Sequence, residues 1–309
     1  MTEHGRARRG IVYGLAAYGL WGAVPLFWPL VARAGSIELL AHRVVWSLVI
    51  SLVLLRVAVP RGWWSRVGNP RTLIMLGAAA AVVSVNWGVY IWAVNHGHVV
   101  ETALGYYINP ILSILVGVVA LRERLSPVQW VSVGLAAVAV IVLTVDYGTL
   151  PWVALALATS FATYGVIKNR LGAGAVDSLA VESVVLAPIA LVYLGYLQIT
   201  GAGTFVRLGW GHSLLLAATG LITIVPLLFF AAAVTRLPLS TLGLLQYLAP
   251  TLQFILGIAY FHEAMSTGRW VGFGLVWLAL VLMTVDGLRR AHAGRRARLR
   301  DAEPQPAQI

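Results

Sequence analysis

The chain contains no cysteine, so it can hold neither a disulfide framework nor a thiolate metal site, and cysteine usage says nothing of a redox compartment. Charge is scarce as well. Only 11% of the 309 residues are Asp, Glu, Lys or Arg, where a soluble chain carries about 25%. Three motifs are missing: a GxxxxGK[ST] phosphate loop, an HExxH zinc pair and a GxSxG nucleophile elbow. ATP-driven pumping and the corresponding hydrolase chemistries therefore have no motif to rest on, and the chain does not read as an enzyme. His96 and His98 are spaced i, i+2, with no acid or cysteine completing a metal set. No metal and no cofactor is expected.

Long apolar runs are plentiful, and 60% of the residues are hydrophobic. A spanning helix needs roughly 20 mostly apolar residues. Ten such runs lie near 11–31, 38–59, 72–95, 101–121, 127–145, 150–168, 178–200, 211–235, 239–261 and 267–288. Short links between them hold most of the charges and polar residues. The expected fold is an all-α polytopic membrane protein whose main partner is the lipid bilayer. The basic N-terminus, 1–10, leads straight into a full-length apolar run, so the first helix is expected to be retained rather than cleaved.

The chain writes one stretch twice. With a shift of 140, Ala93–Asp146 lies on Ala233–Asp286 without a gap. Tyr107 and Pro110 meet Tyr247 and Pro250, Glu123 meets Glu263, and Trp130 meets Trp270. Thr144, Val145 and Asp146 meet Thr284, Val285 and Asp286. The matches include rare residue types, which argues for duplication. The expected division is a first five-helix repeat over 11–146, a second over 150–288, and a basic tail over 289–309. Five is odd, so the second copy enters the membrane from the opposite side. Ten helices then form two inverted five-helix repeats, an arrangement typical of secondary transporters with a site near the midplane. Duplication that only builds a stable bundle is the plainer alternative.

The basic residues give an orientation. Of 22, 18 fall on one alternate set of links and tails, while only Arg33, Arg207 and Arg269 fall on the other. Cytoplasmic links are rich in Lys and Arg, so both termini are expected in the cytoplasm. The net charge of +11 is then a solvated tail and link charge near anionic lipid, not a nucleic-acid surface. Trp63 and Trp64, beside arginines, suit the headgroup zone.

Several polar or helix-breaking residues inside the runs are candidates for a substrate cavity or for coupling. Trp21 and Pro25 stand in the first run, where Pro25 removes a backbone donor. His42 and Arg43 stand about one turn into the second. Arginine there costs several kcal/mol in lipid unless paired or facing water. Glu38, four residues earlier, can pair with His42, while Arg43 needs an acid from another helix. This group is either a structural ion pair or part of transport. Asn86 and Tyr90 share a helix face, either as a cavity wall or as interhelical packing. The run 101–121 carries Glu101, Tyr106, Tyr107, Asn109 and Pro110, and its repeat carries Gln246, Tyr247 and Pro250. Two proline-interrupted spans at matching positions are the best sequence pointer to a transporter's binding site. Glu182 falls on His42 at the shift of 140, and Pro226 falls on Asn86. A proton-coupled mechanism would use Glu101 or Glu182. The charged elbows Arg122–Glu123–Arg124 and His262–Glu263 read as structural, each followed by a helix start at Ser126–Pro127 or Ser266–Thr267.

The motifs AHRVVWS, NWGVYIWAVN, ETALGYYINP and TRLPLSTLGLLQYLAPT, set in two five-span copies, resemble the RarD group of the EamA family, within the drug/metabolite transporter superfamily. The likeness covers nearly all of 10–288. It implies a ten-helix bacterial inner-membrane transporter with a central cavity between two repeats. Members carry chloramphenicol-sensitivity or permease labels, which name no physiological substrate. The function expected is secondary transport of a small organic metabolite or drug by alternating access. The competing class is a non-transporting membrane scaffold or lipid scramblase.

Overall fold

The computed structural model describes residues 3–58, 69–121, 125–171 and 175–301. Trp63–Trp64 and Arg122–Glu123–Arg124 lie outside the described residues. Every long element is helical: α1 (Glu3–Ala23), α2 (Gly35–Ala58), α3 (Pro70–Asn95), α4 (Val99–Leu121), α5 (Pro127–Tyr147), α6 (Trp152–Leu171), α7 (Ala175–Ile199), α8 (Trp210–Val234), α9 (Leu239–Leu245), α10 (Leu248–Ala259) and α11 (Thr267–Asp301). Local chemistry sets the boundaries. Asn69 accepts from the Thr72 N–H ahead of Pro70, and Ser126 forms a capping box with Gln129 ahead of Pro127. Gly148, in the left-handed region, ends α5.

Prolines act in two ways. After Ala23 the chain tightens into two 3-10 turns, Val24–Leu26 and Trp28–Ala34, with Pro25 and Pro29 near their starts. The run 239–261 is divided into α9 and α10 at Gln246–Tyr247. Pro250 has no N–H for the Gln246 carbonyl four residues back. Pro110 and Pro226, expected as helix breaks, do not break their helices: α4 and α8 run through them. Pro188 likewise sits inside α7. Each proline removes one donor, and packing against neighbouring helices holds the rest of the helix in line.

Among the described residues, eight segments are long and apolar enough to cross a membrane: Trp28–Val57, Pro70–Asn95, Val99–Val116, Pro127–Tyr147, Leu179–Ile199, Trp210–Val234, Thr241–Ala259 and Thr267–Arg290. Trp152–Lys168 is apolar but shorter. A belt of exposed apolar side chains, including Val57, Ile74, Val145, Ile189, Val192 and Ile199, covers the bundle. Lipid is the solvent such a surface fits.

Most packing is between the sequence copies rather than within them, and it comes in matched pairs. α4 lies on α6 as α1 lies on α10, and α3 lies on α6 as α8 lies on α1. α2 lies on α8 as α7 lies on α3, while α2–α7, α4–α10 and α5–α11 pair equivalent helices. Equivalent links occupy opposite ends of the bundle. At the end where α1 starts, Ser126 donates to Asp286 at 3.2 Å. At the distal end, Ser266 donates to Asp146 at 2.5 Å. These two pairs are one contact written twice, and they pin α5 to α11 at both ends.

Candidate functional site

Arg43 is the residue around which the polar interior is arranged. It lies eight residues into α2 and is 9% exposed. Its Nε donates to Thr223 Oγ1 on α8 at 2.8 Å. Its guanidinium lies over the Trp87 ring of α3 at 3.9 Å and within 5.8 Å of Trp28. Cation–π contacts with desolvated arginine are worth about 2 kcal/mol. The acid expected from another helix is not there: among the described residues no carboxylate lies within ion-pair distance of Arg43. Thr223 in turn donates its hydroxyl hydrogen bond to the Thr219 carbonyl at 2.9 Å.

Asn86 and Tyr90 come from the same face of α3, one turn apart. Asn86 donates to the Leu157 carbonyl and to Ser160 Oγ on α6, both at 3.0 Å, and Tyr106 donates to its Oδ1 at 3.4 Å. Tyr90 meets Tyr106 edge to face at 5.8 Å, and Tyr106 meets Phe161 at 6.1 Å. The Tyr90 hydroxyl and the Trp28 indole N–H are buried without a hydrogen-bond partner. Arg43, Asn86, Tyr90 and Tyr106 thus share one region, together with Trp28, Trp87, Thr223, Ser160 and Phe161.

Glu182 lies elsewhere, on α7. It is 1% exposed and takes Lys168 Nζ of α6 at 2.9 Å and the Tyr164 hydroxyl at 3.2 Å. Phe161 stacks toward Tyr164 at 6.1 Å, so an aromatic ladder joins the Glu182 pair to Tyr106. Lys168, read in the sequence only as a link charge, is the partner of Glu182. Nothing in the local sequence marks that pairing, because 14 residues and a helix turn-around separate the two.

Three carboxylates at the distal end hold backbone donors across the copies. Glu101 accepts from the Val153 and Ala154 N–H groups at the start of α6, at 3.0 and 3.4 Å, with His98 3.3 Å away. Glu263 accepts from Val99 and Val100 at the start of α4, the second at 2.9 Å. Both place negative charge on a helix N-terminus. Glu38 accepts from the Thr204 N–H and hydroxyl at 2.7 and 2.9 Å. The expected Glu38–His42 contact is 3.9 Å, too long for a hydrogen bond, because Glu38 is turned to Thr204. Burial pushes the Glu263 carboxyl up to about 7 against the lowering effect of its two backbone donors and Arg269, with Glu101 adding to the rise.

The remaining candidates form separate groups. Trp21 packs with Tyr18 and Phe230, and its carbonyl accepts from Gln253 Nε2 at 3.2 Å. Tyr107 shares a 2.7 Å hydrogen bond with Thr251 of α10, and Tyr247 packs on the same core cluster. Asn109, Gln246 and Pro110 are half-buried, and Asn109 accepts from Ser113 at 3.4 Å. Among the described residues, the polar and ring contacts of Arg43 go to Thr223, Trp28 and Trp87 instead.

The EamA-like transporter family model matches residues 8–145 and again 150–285. Protein RarD of Streptomyces exfoliatus is 56% identical over 98% of this chain and 96% of its own length. An uncharacterized transporter of Vibrio cholerae is 40% identical over 94% of this chain and 97% of its own length. A solved crystal structure superposes with a TM-score of 0.57 at 18% identity, covering 89% of this chain and 97% of the other, which shows the fold alone. The family is one of transporters, and relatives in Vibrio cholerae and Bacillus subtilis are named uncharacterized transporters. The chain is a multi-pass protein of the bacterial inner membrane and belongs to the RarD group of the EamA-like transporter family.

Proposed function

We propose that this membrane transporter moves a small organic metabolite or drug by alternating access, as a secondary transporter without ATP. The ten apolar runs act as ten spans in two inverted copies, with both termini in the cytoplasm and the distal end outside. The observation carrying this reading is the matched packing: each major contact between the copies has its counterpart at the opposite end. A bundle of this kind has two nearly equivalent arrangements, one open to each side, of similar energy. Arg43, Asn86, Tyr90 and Tyr106 serve as the substrate region. They offer one cation, amide and hydroxyl groups, and aromatic faces within an otherwise apolar interior, the mixture an organic ligand requires.

The test compares metabolites inside and outside cells producing the wild-type chain or Tyr106→Ala at equal membrane abundance, with chloramphenicol among the added compounds. At least one compound is expected to redistribute in the wild type only. Its flux in proteoliposomes should follow a gradient with no ATP present. Unchanged cell physiology and no redistribution by either chain would favour a scaffold.

A further inference from the structure

The region around Arg43 holds a positive charge and polar atoms left without partners, and that combination selects a ligand. Its Nε is satisfied by Thr223, and among the described residues no hydrogen bond to its Nη groups is seen. Trp28 Nε1, which can only donate, and the Tyr90 hydroxyl are buried beside it and also lack partners. Trp28 is 0% and Tyr90 5% exposed. Nearby polar groups make their bonds elsewhere. The Asn86 amide oxygen is taken by Tyr106, Ser160 donates into its own helix, and Thr223 donates to Thr219. The region therefore holds one fixed positive charge and unused donors, with no anion among the described residues.

An unpaired guanidinium inside a membrane bundle is costly. The cost is relieved by a ligand that brings one negative charge and acceptor oxygens. A planar carboxylate matches the guanidinium fork and can accept at both oxygens. One positive charge balances a monoanion better than a doubly charged phosphate ester. The second copy lacks the device, because Ser183 stands where Arg43 stands in the first. Glu182, its neighbour, is already held by Lys168.

We infer that Arg43, with Trp28 and Tyr90, forms an anion subsite that takes the carboxylate of an organic substrate, whose apolar part lies toward Tyr106 and Phe161. Its role as a substrate contact rests on the transporter reading above; the binding itself does not.

The probes are three compounds of similar shape: phenylacetate, 2-phenylethanol and 2-phenylethylammonium. Each is titrated into the purified full chain in nanodiscs, read by tryptophan fluorescence and by the shift in thermal unfolding. Phenylacetate should bind about tenfold or more tightly than the other two. Arg43→Gln should erase that preference, and Arg43→Lys should keep part of it. Tyr90→Phe, which keeps the ring and so the packing, should weaken phenylacetate severalfold without touching the alcohol. Equal binding of all three probes, binding of none, or an unchanged preference in Arg43→Gln would each overturn the inference. Flux of neutral or cationic compounds without carboxylate binding would leave the transporter standing and remove this subsite. Carboxylate binding without flux of any compound would keep the subsite and remove the transport reading.

Discussion

At the scale of single residues, the interior separates charges that compensate each other from one that stands without a counter-ion. Glu182 and Lys168 compensate, with Tyr164 as third member. Removing the Glu182 carboxylate takes a charged hydrogen-bond partner from Lys168 and Tyr164, which costs about 1.5–3 kcal/mol. Glu182→Gln should therefore lower the thermal unfolding temperature in a fixed detergent. Lys168→Met combined with Glu182→Leu should recover most of the loss, because apolar packing replaces the pair. A proton carrier would behave differently: its loss would flatten the pH profile of flux. The pairing predicts an unchanged profile with reduced stability, and a flattened one would reinstate Glu182 as carrier. Arg43 was visible in the sequence as an arginine inside an apolar run. Its surroundings were not, because Trp28, Trp87 and Thr223 reach it from elements far apart along the chain.

At the scale of elements, close approach between helices sets the packing. A Cβ on Gly105 of α4 would lie 2.8 Å from the Ala154 carbonyl oxygen of α6. A Cβ on Gly22 of α1 would lie 2.7 Å from Leu252 and 3.2 Å from the Ala249 carbonyl oxygen of α10. The two glycines serve equivalent helix pairs, α4–α6 and α1–α10, from non-equivalent positions. Gly105→Ala must push α4 from α6, and should cost about 1–3 kcal/mol in thermal unfolding. Gly134→Ala on α5 meets nothing within 4 Å and should be neutral or stabilising by up to about 1 kcal/mol. Equal effects of the two would mean that backbone propensity, not helix contact, decides. Much of this level was legible beforehand. The repeat aligned Pro110 with Pro250, and Ser126–Pro127 marked a helix start that forms a full capping box. The behaviour of each proline was not legible. Pro250 follows a break while Pro110, its equivalent, does not, and nothing in the structure explains the difference.

At the scale of the whole molecule, the distal end is closed by carboxylates that cross between the copies. Glu38 holds Thr204, Glu101 holds the start of α6, and Glu263 holds the start of α4. Opening that end must break these bonds. α5 and α11, tied at both ends by Ser126–Asp286 and Ser266–Asp146, are then the fixed axis. On the alternating-access proposal, Glu263 is expected to make the equilibrium depend on pH, and the sign follows from its carboxyl. Closed, it is buried and pushed up to about 7, with Arg269 opposing and Glu101 reinforcing the shift. Drawn into water, it returns to the ordinary value of about 4.3. The closed end therefore binds the proton more tightly. Its advantage is fully present below about pH 4.3 and is lost as pH rises through about 7. Because the chain has no cysteine, spin labels can be placed at His96→Cys and Tyr260→Cys alone. In bilayers, the longer-distance population should grow between about pH 5 and pH 8. Glu263→Gln, neutral at every pH, should hold the short distance and flatten that dependence. A wild-type distance that is flat, or that lengthens on acidification, would show that Glu263 does not govern closure. The bonds from Glu38 and Glu101 would then have to hold the distal end without it.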